Sequence, residues 1–339
     1  MKILYKQTDF PFHYPFTISG GRTKTHQRAL FIELKLEDGV SGFGEAPAIS
    51  YYNIPVEKMI ADLEEKLVEL EAFSFKHPAD FHAYLLKLFP SNSFLICALD
   101  MAAWDVFGKQ QNLLLHQLWE TPWTNLPLSD YTIGLDSVEK MLRKMEENPW
   151  PIYKIKLGSS NDIELIIELR KHTEVPFRID ANGGWTLDEA ISNIPILKAL
   201  GVELIEQPLE KYDFESMKIL MHNSTLPLFA DESCVSEVDV VKCVGSFDGI
   251  NIKLTKCGGI TPALRMIKQA RILGLKVMMG TMNESIVGTA AIAQFLPQLD
   301  YADMDGPLLL NGDNASGLQL RNGLVQIDGK SGLGIHAKF

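Results

Sequence analysis

From about residue 130 the chain repeats one unit: a short apolar run ending in polar or charged residues, then a helical stretch, at intervals of roughly 25 residues. The runs are "YTIGL", "YKIKL", "FRIDAN", "ELIEQP", "LFADES", "GINIKL", "KVMMG" and "YADMDG". Segments with helical character separate most of them, among them "DIELIIELRKHT", "TLDEAISNIPILKALG" and "TPALRMIKQARILG". That interval suits a strand, a loop, a helix and a return loop. Eight strands in repeated βα units predict a closed parallel barrel.

The chain before this repeat has a different texture. "ALFIELKLEDGVSGFGEAP" predicts two strands joined at Asp38-Gly39, a hairpin signal. "VEKMIADLEEKLVELEAF" sets Met59, Leu63, Leu67 and Leu70 on one helical face, and the more apolar "FLICALDMAAWDVFGKQ" predicts a helix buried on most sides. Strands followed by helices make a separate α+β unit. The boundaries fall at 1–120 for this unit, 121–311 for the barrel, and 312–339 for a tail expected to pack back on the first unit.

Composition narrows the function classes. The net charge of −11 argues against non-specific nucleic-acid binding. No run reaches the roughly 20 apolar residues of a membrane span, and the N-terminus lacks a signal-peptide core, so a cytoplasmic protein is expected. Cys97, Cys234, Cys243 and Cys257 show no C-x-x-C pairing, which predicts buried free thiols. The eight histidines do not cluster at ligand spacing, so any metal would be held by oxygen.

In barrels of this kind the reactive groups sit at the C-terminal ends of strands. Asp180, Glu206 and Asp231 close the third, fourth and fifth runs. Singly, each acid reads better as a solvated loop residue. In phase on three adjacent strands they converge, and a divalent cation relieves the repulsion; hard oxygen ligands favour Mg²⁺. Lys154 and Lys156 alternate in "YKIKL" and therefore share a side, the lumen being favoured over the helix layer. Lys253 stands across the barrel on the sixth strand.

The ordered set "KIK", "DAN", "EQP", "DES", "IKL" and "KCGG" resembles the enolase superfamily, specifically its muconate-lactonizing subgroup, over most of the chain. The resemblance implies a (β/α)7β TIM-like barrel with an N-terminal α+β capping domain. It implies Mg²⁺ on Asp180, Glu206 and Asp231, and removal of a proton α to a carboxylate to give an enediolate. Lys156 and Lys253 would be the two bases, facing the α-carbon from opposite sides, with Lys154 beside the substrate. A lysine base must be neutral near pH 7, well below its reference of about 10.4, and nearby positive charge supplies that shift. Two bases on two faces imply inversion.

Asp303 and Asp305 in "YADMDGPLLL" resemble the D-x-D by which dipeptide epimerases hold a substrate α-ammonium; a turn before Gly306-Pro307 is the plainer reading. "TISGGRTKTHQRAL" resembles the family's covering loop, with Gly20 and Gly21 as a hinge and Arg22 as a reader of acidic side chains, as in L-Ala-D/L-Glu epimerases. Thr132 matches a substrate-contact position, and Glu284 is read as bonding substrate or Lys253, or as only solvating a loop. Asn182 is read as orienting a ligand or capping a turn, and Glu232 as pointing away from Asp231's side. Muconate-type cycloisomerase, o-succinylbenzoate synthase and an inactive metal-binding protein stay open as alternatives. Neither the preferred dipeptide nor any homo-oligomer interface is legible.

Overall fold

A computed structural model of the chain describes residues 1–18, 22–158 and 161–337, the side chains of Ile18 and Arg22 excepted. The proposed hinge at Gly20 and Gly21, and the side chain of Arg22, therefore lie outside the described residues.

Strands β1 (Lys2–Ile18), β2 (Arg22–Lys35) and β3 (Ser41–Pro47) form an antiparallel sheet in sequential order. Helices α1 (Val56–Glu71), α2 (Pro78–Leu88) and α3 (Ser93–Gln111) pack with it. In α1, Met59, Leu63 and Leu70 are buried while Leu67 lies at the margin. Each fully buried side chain of that size contributes on the order of 1.5–3 kcal/mol. Helix α3 buries both its faces because the sheet lies on one side and the barrel on the other.

All eight expected barrel strands form: β4 (Tyr131–Ile133), β5 (Tyr153–Lys156), β6 (Phe177–Asp180), β7 (Val202–Glu206), β8 (Leu228–Ala230), β9 (Gly249–Ile252), β10 (Lys276–Gly280) and β11 (Tyr301–Asp303). They pair in parallel and in chain order. A parallel bridge between Ser129 and Ala302 brings the first strand to the last. This is a (β/α)7β barrel.

The two-residue period of each strand sorts its side chains. Ile155, Ile179, Ile205 and Val277 face the surrounding helices in one large core. The alternate positions enter the lumen. Leu204, Phe229, Met278 and Tyr301 fill one inner layer. Arg178 lies over the Tyr301 ring at 5.2 Å and bonds Asp130 Oδ2 and the Ala302 carbonyl, each at 2.9 Å. This buried ion pair ties β6 to the β4–β11 seam beneath the charged tier.

The chain after the barrel returns to the seam between the two units. Leu333 N–H donates to Asp105 of α3 at 2.8 Å, and Gln294 Nε2 donates to the Leu333 carbonyl at 3.0 Å. The four cysteines are free; Cys257 is only half-buried, unlike the other three.

Candidate active site

Asp180 ends β6, Glu206 ends β7, and Asp231 is the first residue beyond β8. All three are buried, and each offers a carboxylate oxygen within 4.8 Å of the others. Lys154 and Lys156 come from β5, and Lys253 directly follows β9, four strands away in a ring of eight. The two walls therefore face each other.

The lysines interleave with the acids. Lys154 Nζ lies 2.7 Å from Glu206 Oε2, 2.7 Å from Asp303 Oδ2 and 3.3 Å from Asp180 Oδ2. Lys156 reaches Asp180 at 2.5 Å, and Lys253 reaches Asp231 at 2.8 Å. Burial opposes the charge on Lys154, but Asp303, Glu206 and Asp180 overcome it and hold the ammonium well above the usual lysine range. On Lys253 burial is likewise outweighed by Asp231 and Glu206, which raises it. Asp180 is drawn down to about 2, burial being overcome by Lys156 and Lys154. Glu206 is pushed up to about 6 by burial and by Asp180.

The residues fit a hard divalent cation. The donor set is oxygen alone. Glu206 Oε2, though close to Lys154, has no aligned hydrogen bond among the described residues. Carboxylates also outnumber amines: Glu232, Asp303 and Asp305 join the three converging acids, against Lys154, Lys156, Lys253 and Lys256. That surplus is reflected in raised carboxyl pKa values. Burial, then the charges of Asp231 and Asp180, push Glu232 up to about 7; burial, then Asp303, push Asp305 to about 7.

A cavity of about 310 Å³ opens above the acids, a size typical of small-molecule sites. Thr132, Lys154, Lys156, Asp231, Lys253, Asp303 and Asp305 line it from the barrel; Phe16, Lys24, Ile49, Tyr51 and Tyr52 line it from the first unit. Asp305 has already left β11 and stands at the N-terminal boundary of the short helix that follows without a side-chain capping bond; its side chain reaches the cavity, where Thr132 N–H donates to it at 2.5 Å. Asp303 Oδ1 is buried with no hydrogen-bond partner among the described residues.

Two expectations change. Glu284 is buried but is not among the cavity-lining residues; its carboxylate accepts the Met282 N–H in the loop before the helix Ile286–Ala293. Glu232 does line the cavity, because the chain turns immediately after β8 instead of staying extended, and it accepts from Asn182 Nδ2 at 3.2 Å. Asn182, at φ 45°, also donates its N–H to Asp180 Oδ1 at 3.0 Å. Gly183 follows at φ 72°, a left-handed position that suits glycine. Asp180 is thus cluster member and turn residue at once.

Three supporting residues escaped the sequence reading. Gln207 Oε1 accepts the N–H groups of Asp231 and Ser233, each at 3.1 Å, while its amide donates to Leu209 O and Ser233 Oγ. It clamps the "DES" turn to the strand bearing Glu206. Asn251 donates to Glu206 Oε1 at 2.8 Å, and Lys256 bonds the Asp231 carbonyl at 2.6 Å and its carboxylate at 2.5 Å. The motifs "EQP" and "KCGG" contain Gln207 and Lys256, but short motifs do not say which atoms meet.

Comparison with known proteins agrees with this geometry. Residues 136–338 match the family model "Enolase C-terminal domain-like", and residues 2–119 match the N-terminal domain of the mandelate racemase/muconate lactonizing enzymes. An L-Ala-D/L-amino acid epimerase of Maribacter sp. is 51% identical over 94% of both chains. Another of that name, from Flavobacterium johnsoniae, is 46% identical over 99% of both. The solved structure of a dipeptide epimerase from Enterococcus faecalis, complexed with Mg and the dipeptide L-Leu-L-Tyr, superposes with a TM-score of 0.91 at 27% identity, covering 98% of each chain.

Proposed function

Because the chain belongs to the enolase superfamily, in its mandelate racemase/muconate lactonizing group, we propose that it is a cytoplasmic, Mg²⁺-dependent dipeptide epimerase that inverts the α-carbon of the C-terminal residue. The observation that carries this reading is the placement of Lys156 and Lys253 on facing walls, beside three convergent carboxylates and below the Asp303–Asp305 pair. The epimerases of Maribacter and Flavobacterium support it, as does the Enterococcus enzyme's complex with a dipeptide.

Asp180, Glu206 and Asp231 would hold the cation. When bound, Mg²⁺ supplies Lewis-acid stabilisation of the negative charge that develops on the substrate carboxylate. Lys154, kept charged by its acidic neighbours, adds a fixed positive group beside that carboxylate. With Asp231 committed to a cation, Lys253 would have a weaker hold on its proton, because Asp231 is the first of the charges that now raise it. One lysine then takes the α-proton, and the ammonium of the other returns a proton to the opposite face. The roles exchange with the direction of reaction, and no proton is consumed overall.

Asp303 and Asp305 give the substrate's N-terminal ammonium a paired anionic seat. Thr132 holds Asp305 in place through its backbone N–H. A cycloisomerase would need no such seat, because its substrate carries no ammonium.

The test is incubation of L-Ala-L-Glu and a broad set of other dipeptides with the protein and Mg²⁺ in D₂O. Deuterium should enter the α-position of the C-terminal residue as that centre inverts. If no dipeptide in the set gains α-deuterium, the epimerase reading fails.

A further inference from the structure

Two carboxylates of the first unit cross to the barrel and end on the first turns of consecutive barrel helices. Glu45 of β3 is 1% exposed. Its Oε1 accepts the Ser285 N–H at 2.9 Å; its Oε2 accepts the Ser285 hydroxyl at 2.6 Å and the Gly288 N–H at 3.0 Å. Ser285 caps the helix Ile286–Ala293. Asp100 of α3 is fully buried and accepts the Thr261 N–H at 2.8 Å and the Thr261 hydroxyl at 2.7 Å. Thr261 lies in the first turn of the helix Ile260–Ile272.

Those two helices follow the two barrel segments that matter most to the cavity. One runs from Lys253 through Lys256 to Gly259. The other holds Thr281, Met282 and Asn283 in the cavity wall. The contact at the first is tight: a Cβ on Gly259, at φ 122°, would lie 2.4 Å from Asp100 Oδ2. The open N–H groups and dipole of a helix N-terminus favour an anion, and in a buried interface the loss of such bonds leaves orphaned donors. The carboxylates thus do more than join two surfaces. Each fixes the start of one helix, and with it the loop just upstream.

We propose that Glu45 and Asp100 are positioning residues, Glu45 setting the Thr281–Asn283 cavity wall and Asp100 setting the segment that carries Lys253 and Lys256. The kinetic consequences rest on the epimerase reading; the structural one does not. Displacing a cavity wall weakens substrate binding, whereas displacing a base by a fraction of an ångström slows proton transfer.

The experiment compares Glu45→Gln and Asp100→Asn with the corresponding alanine variants. Glu45→Gln should raise KM about tenfold with kcat within about twofold, and Asp100→Asn should lower kcat about tenfold with KM within about twofold, misplacement of this kind carrying penalties of that order. The alanine variants should be worse, so that the amide partly rescues. In the metal-free proteins, amide hydrogen exchange should quicken at 281–289 in Glu45→Gln and at 257–264 in Asp100→Asn, each without the other. Uniformly faster exchange, or unchanged kinetics per folded molecule, overturns the proposal. Should either variant fail to fold, Ser285→Ala and Thr261→Val remove the hydroxyl bond of each pair from the barrel side, leaving the N–H bonds, and must give the same divided pattern in weaker form. If the parent protein turns over no dipeptide, the functional reading fails while the exchange pattern still decides the positioning claim.

Discussion

Lys156 and Lys253 stand four strands apart in an eight-stranded ring, and each bonds a different acid of one cluster, Asp180 at 2.5 Å and Asp231 at 2.8 Å. On the proposed reading, a substrate held over that cluster by its carboxylate would have its α-carbon between two amines. Two-base inversion needs that geometry, and single-face deprotonation does not.

Lys156→Ala and Lys253→Ala should therefore each lower epimerisation by at least about 10³-fold, at or beyond the range typical of positioned acid–base groups. Mg²⁺ affinity, measured by calorimetry, should survive in both. Each variant should still exchange solvent deuterium into one substrate stereoisomer only, the two variants choosing opposite isomers. Epimerisation at the parent rate by either variant would remove the two-base assignment.

Asp303→Asn and Asp305→Asn should weaken dipeptide turnover by about 10²-fold, the scale on which breaking a buried charge pair is felt. The loss should vanish for an analogue lacking the α-ammonium, such as an N-acylated second residue without a free amine. Equal losses on both substrates would point to a structural role for the pair, whose partners now are Lys154 and the Thr132 backbone.

Chelation should abolish turnover, and added Mg²⁺ should raise the unfolding temperature. At a hundredfold excess over Kd the stabilisation is about 2.7 kcal/mol. Glu206→Gln should erase that shift, since it removes one of three charged ligands. A parental Mg²⁺-induced shift in Glu206→Gln would place the cation elsewhere.

Stability of the metal-free protein should fall as pH rises from about 5 to 8. Burial, followed by the charge of Glu45, lifts Glu284 from 4.5 to about 8; burial lifts Glu45 from 4.5 to about 7 against its bonds from Ser285 and Gly288. Such groups bind more protons folded than unfolded across that window, so raising pH favours the unfolded chain. Asp180, held down to about 2, acts in the opposite sense but only below about pH 4, outside the window. Urea titrations in EDTA should show a shallower decline for Glu284→Gln, the difference being about 1.4 kcal/mol for every tenfold by which folding tightens this carboxyl's hold on its proton. An unchanged slope would mean that Glu284 is ionised in the folded protein at neutral pH.

The sequence alone determined the barrel and the polarity of its site. Eight apolar runs at regular spacing leave few other ways to bury their faces, and the period of two sends Lys154, Lys156, Arg178 and Asp180 to one side of their strands. Both signals are local, so they survive in a linear string. What happens just past a strand end was not legible there. Glu232 entered the cavity because the chain turns after Ala230, and Glu284 lies beside Ser285, which Glu45 bonds from 240 residues away. Only tertiary structure decided where those side chains ended, as it decided the grip of Gln207 and Lys256 on Asp231. Hydrogen bonds between distant segments depend on the path of the whole chain, and no periodicity records them.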